Sequence, residues 1–162
     1  MSSRLILRSK EEKEFEITKK AASLSNFLRK AMDEAIDDSP ISLSEIDEKM
    51  LEKILEYLDR FNGNAPNEIE KPLPGGDMKG AIDEWSVNFV DKITLDDLVN
   101  LTIAANYLGI NSLIDLCCAK FACMCKDKSE EEIFKVFNIN ETFTEDEKKE
   151  LREKNRWIEE NL

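Results

Sequence analysis

Thr94-Leu95-Asp96-Asp97-Leu98-Val99-Asn100-Leu101-Thr102-Ile103-Ala104-Ala105-Asn106-Tyr107-Leu108-Gly109 is the stretch around which this chain must be built. Apolar residues recur on nearly every side of it, and a helix with no clean polar face belongs in the centre of a fold. Gly109 suits a left-handed C-terminal cap. Asn111 is placed to cap a following helix, whose apolar stripe is Leu113, Ile114, Cys117, Phe121 and Cys125.

Working toward the N-terminus, Trp85 and Phe89 mark further apolar positions, and before them lies the one breaker-rich segment. Residues 62–80 hold Pro66, Pro72 and Pro74 with Gly63, Gly75, Gly76 and Gly80, which predicts a long, flexible connection. Asp47 to Phe61 reads as an amphipathic helix with Met50, Leu51, Ile54, Leu55, Leu58 and Phe61 on one stripe. Ahead of it, Leu5-Ile6-Leu7 and Phe15-Glu16-Ile17 read as short strands, and Ile41 and Leu43 alternate with serines as a third. Between these, Lys19 to Ile36 shows one helical pattern that ends before Pro40.

Working toward the C-terminus, Ser129-Glu130-Glu131-Glu132 and Thr144-Glu145-Asp146-Glu147 are two capping boxes, each opening a helix. Two short helices cannot bury Ile133, Phe134, Phe137 and Trp157 against one another. They need the preceding domain or another protein. The organisation is therefore a domain over 1–125 and a helical appendage over 126–162.

Composition narrows the function. Thirty-five acids against 23 bases give a net charge of −12 on 162 residues, which opposes nucleic acid and anionic membrane as partners. No apolar run approaches the ~20 residues of a membrane span. There is no histidine, which removes the usual general base and the commonest metal ligand. Cys117, Cys118, Cys123 and Cys125 share one helix and cannot converge as four zinc thiolates; as free thiols they fit a reducing compartment. The expectation is a non-enzyme with no cofactor and no metal, resident in the cytoplasm and nucleus.

The order β-β-α-β-α, the buried helix and the helices after it resemble the BTB/POZ fold. That is an α+β core, a small three-stranded sheet packed with helices, extended here by two C-terminal helices. Ala104-Ala105-Asn106-Tyr107-Leu108 with Leu113-Ile114-Asp115-Leu116-Cys117-Cys118 is similar to the Skp family, the adaptor subunits of Skp–cullin–F-box ubiquitin ligases. So are Glu131-Glu132-Ile133, Phe137-Asn138-Ile139-Asn140, Phe143-Thr144-Glu145-Asp146-Glu147 and Asn155-Arg156-Trp157-Ile158-Glu159-Glu160. Glu130 stands where the family usually has proline, and Ile158 where it commonly has cysteine.

The resemblance implies two faces. Asn106 and Tyr107, along with nearby parts of the 19–36 region, match the position that meets the cullin N-terminal domain. Phe121, Ile133, Phe137, Ile139, Leu151, Trp157 and Ile158 would enclose an F-box. The implied role is a bridge between the cullin scaffold and F-box substrate receptors, with a weak homodimer left open for the unpartnered chain. Two alternatives remain beside it: a self-associating BTB scaffold, or a divergent paralogue that holds F-box proteins without a cullin.

Overall fold

A computed structural model describes residues 4–35, 39–140 and 143–156. The chain divides into two compact units, Met1–Lys126 and Asp127–Leu162. The first begins with strand β1 (Arg4–Arg8) paired antiparallel to β2 (Glu14–Thr18), Leu5 opposite Ile17 and Leu7 opposite Phe15. The two-residue β3 (Ile41–Ser42) joins β1 in parallel, giving the order β2-β1-β3. Alternation does its usual work: Leu5, Leu7 and Ile17 enter the core. On the outer side Arg4 pairs with Glu16 at 2.6 Å and Arg8 with Glu14 at 2.8 Å.

The single helix expected over Lys19–Ile36 is two helices, α1 (Lys19–Ala22) and α2 (Asn26–Glu34); Ile36 lies outside the described residues. Ser25 makes the break. Its Oγ accepts from the Leu28 amide at 3.1 Å, an N-cap, and donates to the Leu108 carbonyl at 2.6 Å, all of it buried. A periodicity count cannot see a serine recruited as a cap by a distant helix end.

Helix α3 (Glu48–Phe61) follows with Asp47 as its N-cap, and buries Met50, Leu51, Ile54, Leu55 and Leu58 as its stripe predicts. It also buries Tyr57 completely. Trp85 and Phe89 fall on a helix that the sequence reading left unassigned, α4 (Glu84–Asp91), capped by Asp83. Separation by one turn stacks their rings at 5.1 Å, and Tyr57 and Phe61 complete an aromatic group beside them.

The central helix is α5 (Leu95–Leu108), capped by Thr94 and packed against α2, α3 and α6 (Asn111–Cys125). Gly109, at φ +63°, closes it as foreseen. Its N–H donates to the Asn106 carbonyl at 3.1 Å and the Ile110 N–H to the Ala105 carbonyl at 2.9 Å, the pairing of a Schellman motif. Asn111 does not cap α6. Ile110 occupies that position, fully buried, because the chain re-enters helix directly from the Schellman turn, and Asn111 becomes the first helical residue.

The segment 62–80 carries a single helical turn at Pro74–Gly76. Ile69 and Leu73 pack against the core, Met78 is buried, and Lys126 Nζ donates to the Gly75 carbonyl at 2.6 Å. In the second unit, α7 (Glu130–Val136) and α8 (Glu145–Lys154) bury no residue.

Two substitutions probe this framework by urea unfolding. Leu101→Ala empties a fully buried site on α5 and should cost about 2–5 kcal/mol. Ser25→Ala removes a cap and leaves the Leu108 carbonyl without its donor, and should cost about 1–3 kcal/mol. A loss within 0.3 kcal/mol of zero for Ser25→Ala, taken as about the limit of measurement, would show that the α2–α5 junction does not depend on it.

Candidate functional site

Helix α5 is not apolar on all sides to the same end. Leu98, Leu101, Ala104, Ala105 and Leu108 face the core, while Val99, Ile103 and Tyr107 are 40%, 63% and 40% exposed. Positions 99, 103 and 107 are one helical turn apart, so they form a stripe. The expectation of a helix buried all round is corrected here. Three neighbouring elements cover most of its circumference, and the remaining side carries apolar residues into solvent. Phe27 of α2 stands beside the stripe, its ring centroid 5.3 Å from that of Tyr107. Asn106 is exposed next to it.

Both expected residues of the cullin-facing pair, Asn106 and Tyr107, thus lie on one exposed surface. Phe27 falls in the 19–36 region expected beside the pair, whereas sequence reasoning missed Val99 and Ile103 as its neighbours. The signal that would have found these two is the four-residue spacing of Val99, Ile103 and Tyr107, which the surrounding leucines and alanines conceal.

Of the residues expected to enclose an F-box, Phe121 sits on α6 of the first unit, half-buried against its core. Ile133, Phe137, Ile139 and Leu151 belong to the second unit. There Ile133 and Phe137 are half-buried, whereas Ile139 and Leu151 are 45% and 40% exposed. Phe143 is 47% exposed as well, with its ring 6.4 Å from that of Phe134. Trp157 and Ile158 lie outside the described residues.

Local hydrogen bonds hold these helices where a core does not. The Ser129 amide donates to Glu132 Oε2 at 2.8 Å and the Glu132 amide to Ser129 Oγ at 3.3 Å. Thr144 and Glu147 repeat both bonds at the same distances, and the Thr144 hydroxyl adds a third at 2.8 Å. The backbone N–H of each cap holds the Glu132 and Glu147 carboxyls below their ordinary value of 4.5.

Burial pushes the Cys117 thiol up to about 11, so it is protonated and inert. Among the described residues no three His, Cys, Asp or Glu side chains gather as a metal would require. Among them, too, no helix is long and apolar enough to cross a membrane.

Residues 3–62 match the Skp1 family, tetramerisation domain, and residues 111–158 match the Skp1 family, dimerisation domain. The S-phase kinase-associated protein 1 homolog of Tetrahymena thermophila is 36% identical, over 98% of this chain and 96% of its own. The E3 ubiquitin ligase complex SCF subunit sconC of Arthroderma benhamiae is 31% identical, over 98% and 97%. The SCF ubiquitin ligase complex protein SKP1a of Dictyostelium discoideum is 36% identical, over 94% of each.

The capping boxes carry a pH dependence with a fixed sign. A carboxyl whose pKa is lowered by folding contributes stability above its unfolded value and loses it as pH falls through the folded one. Backbone chemical shifts of α7 and α8 in the full-length chain should therefore stay helical on descent to 4.5 and lose helicity below it. Ser129→Ala and Thr144→Ala should weaken the corresponding helix already at neutral pH. Helical shifts unaltered by either substitution would refute the role given to the boxes.

Proposed function

The chain belongs to the Skp1 family, and from that premise we propose that it is the non-enzymatic adaptor of a Skp–cullin–F-box ubiquitin ligase. One surface engages the cullin N-terminal domain and the other an F-box protein, which brings the substrate. The observation that carries this reading is that large apolar side chains stand in solvent in both units: Val99, Ile103 and Tyr107 on α5, and Ile139, Phe143 and Leu151 in the second unit. Grouped exposed apolar residues mark interaction sites.

The α5 stripe with Asn106 and Phe27 is the cullin side. Its central aromatic, Tyr107, has the character of an interface anchor, amphipathic and ringed by aliphatic neighbours. The second unit, with Phe121, Ile133, Phe137, Ile139, Leu151, Trp157 and Ile158, is the F-box side. A unit that buries nothing in either helix acquires its core from the partner, so this interface should exceed the ~1,600 Å² of a standard complex. Residence in the cytoplasm and nucleus belongs to the same reading and is supported by four free cysteines on one helix.

Size-exclusion with light scattering tests it, using the chain mixed with an F-box domain and then a cullin N-terminal domain. A ternary peak is expected. Tyr107→Ala combined with Ile103→Asp should remove the cullin alone, and Phe137→Ala combined with Trp157→Ala the F-box alone. Each pair should cost about 2 kcal/mol or more, roughly thirtyfold in affinity. An F-box complex that never takes up cullin would reduce the role to F-box binding. A stable homodimer indifferent to both partners would overturn the adaptor reading in favour of a self-associating scaffold.

A further inference from the structure

Pro74-Gly75-Gly76 belongs to a breaker-rich connection, yet the structure lays that segment along α6 and fastens it at both ends. At one end Lys71 Nζ reaches Asp115, on the second turn of α6, at 2.8 Å. At the other the cation comes from the helix instead, Lys126 Nζ donating to the Gly75 carbonyl at 2.6 Å. The Cys123 thiol, one turn earlier on α6, donates to the Gly76 carbonyl at 3.7 Å. Between these ends Leu73 packs against the core, and just beyond them Met78 is buried.

The fit at Gly76 is close. A Cβ there would stand 2.9 Å from Lys126 Cδ and Cε, so the lysine stem lies on bare glycine backbone, held at φ +63°. A Cβ at Gly75, at φ +64°, would meet none of the described atoms within 4 Å. Lys126 thus engages two successive residues, its stem on Gly76 and its charge on Gly75. It is also the residue that ends α6, its amide donating to the Ala122 carbonyl at 3.1 Å. Asp127 follows at φ +56°, a left-handed conformation that a non-glycine residue keeps when its surroundings hold it.

We propose that residues 71–76 are a strap that clamps the C-terminal end of α6 and opens and closes as one piece. Lys71 and Lys126 are both exposed, and exposed polar latches are weak, so the strap opens more readily than the core beneath it. Closed, it fixes the Lys126 side chain, and with it the last turn of α6, from outside the helix. The second unit begins at Asp127. A partner that orders that unit steadies the end of α6 and favours the closed strap; by linkage, the closed strap favours the partner. This last step rests on the adaptor reading, whereas the strap itself does not.

Pulsed alkylation of the full-length chain with N-ethylmaleimide, read at each cysteine by mass spectrometry, tests the strap with internal references. Cys118 is exposed, Cys117 is buried, and Cys123 lies against Gly76. Cys123 should label more slowly than Cys118 and faster than Cys117. Lys126→Ala should speed it about tenfold, although loss of a nearby cation by itself slows a thiol. Lys71→Ala, at the opposite end of the strap, should speed it about two- to fivefold with Cys117 unchanged. Gly76→Ala should speed it more than Gly75→Ala, which carries the same backbone strain without the contact to Lys126. A bound F-box domain should slow it about fivefold or more.

Cys123 labelling as fast as Cys118 in the unaltered chain would overturn the strap. So would a Cys123 rate indifferent to Lys71→Ala, or Cys117 accelerating in step with it. An F-box domain that binds without slowing Cys123 would overturn the coupling. One that does not bind would count against the adaptor reading, with the strap decided by the chain alone.

Discussion

The left-handed turn at Gly109 governs the geometry of the first unit. A helix end leaves carbonyl groups that need partners, and here they find them without a loop. Two go to the Gly109 and Ile110 amides, and the Leu108 carbonyl takes the Ser25 hydroxyl. The first two set α6 directly after α5; the third brings the start of α2 onto the same point. The Asn26 amide adds a bond to the Gly109 carbonyl at 3.3 Å. Any side chain at 109 would meet both a positive φ and Asn26 Cβ at 3.0 Å. The placement of Phe27 beside Tyr107, and with it the shape of the exposed stripe, follows from this junction.

The second unit obeys a different rule. Its helices have 7 and 10 residues, shorter than the ~12–15 at which an isolated helix becomes even marginal. Reciprocal caps and acids in the first turn favour them locally. Their apolar residues contribute little until something covers them, so free energy of burial is held in reserve for a partner. Surfaces of this kind come from the low-stability part of a structure because a core would already have consumed them.

Several of the carboxylates that outnumber the bases are put to structural use. Asp47 and Asp83 cap helices, Glu132 and Glu147 close the capping boxes, and Glu14 and Glu16 pair across the sheet. Each is hydrogen-bonded to an amide or paired with a cation.

Local signals carried much of this protein in its sequence. Period two in Leu5-Ile6-Leu7 and Phe15-Glu16-Ile17, the stripe from Met50 to Leu58, Gly109 as a cap and both capping boxes all report contacts within a few residues, and each is where the sequence puts it. What tertiary structure alone decided was long-range. Ser25 breaks a helix because Leu108, 83 residues away, offers its carbonyl. Tyr57 is buried because Ser112, 55 residues on, receives its hydroxyl. Val99 and Ile103 are exposed because α2, α3 and α6 leave that side of α5 uncovered. Periodicity measures what a segment is able to bury; which part of it is buried depends on how many neighbours arrive, and no segment encodes that by itself.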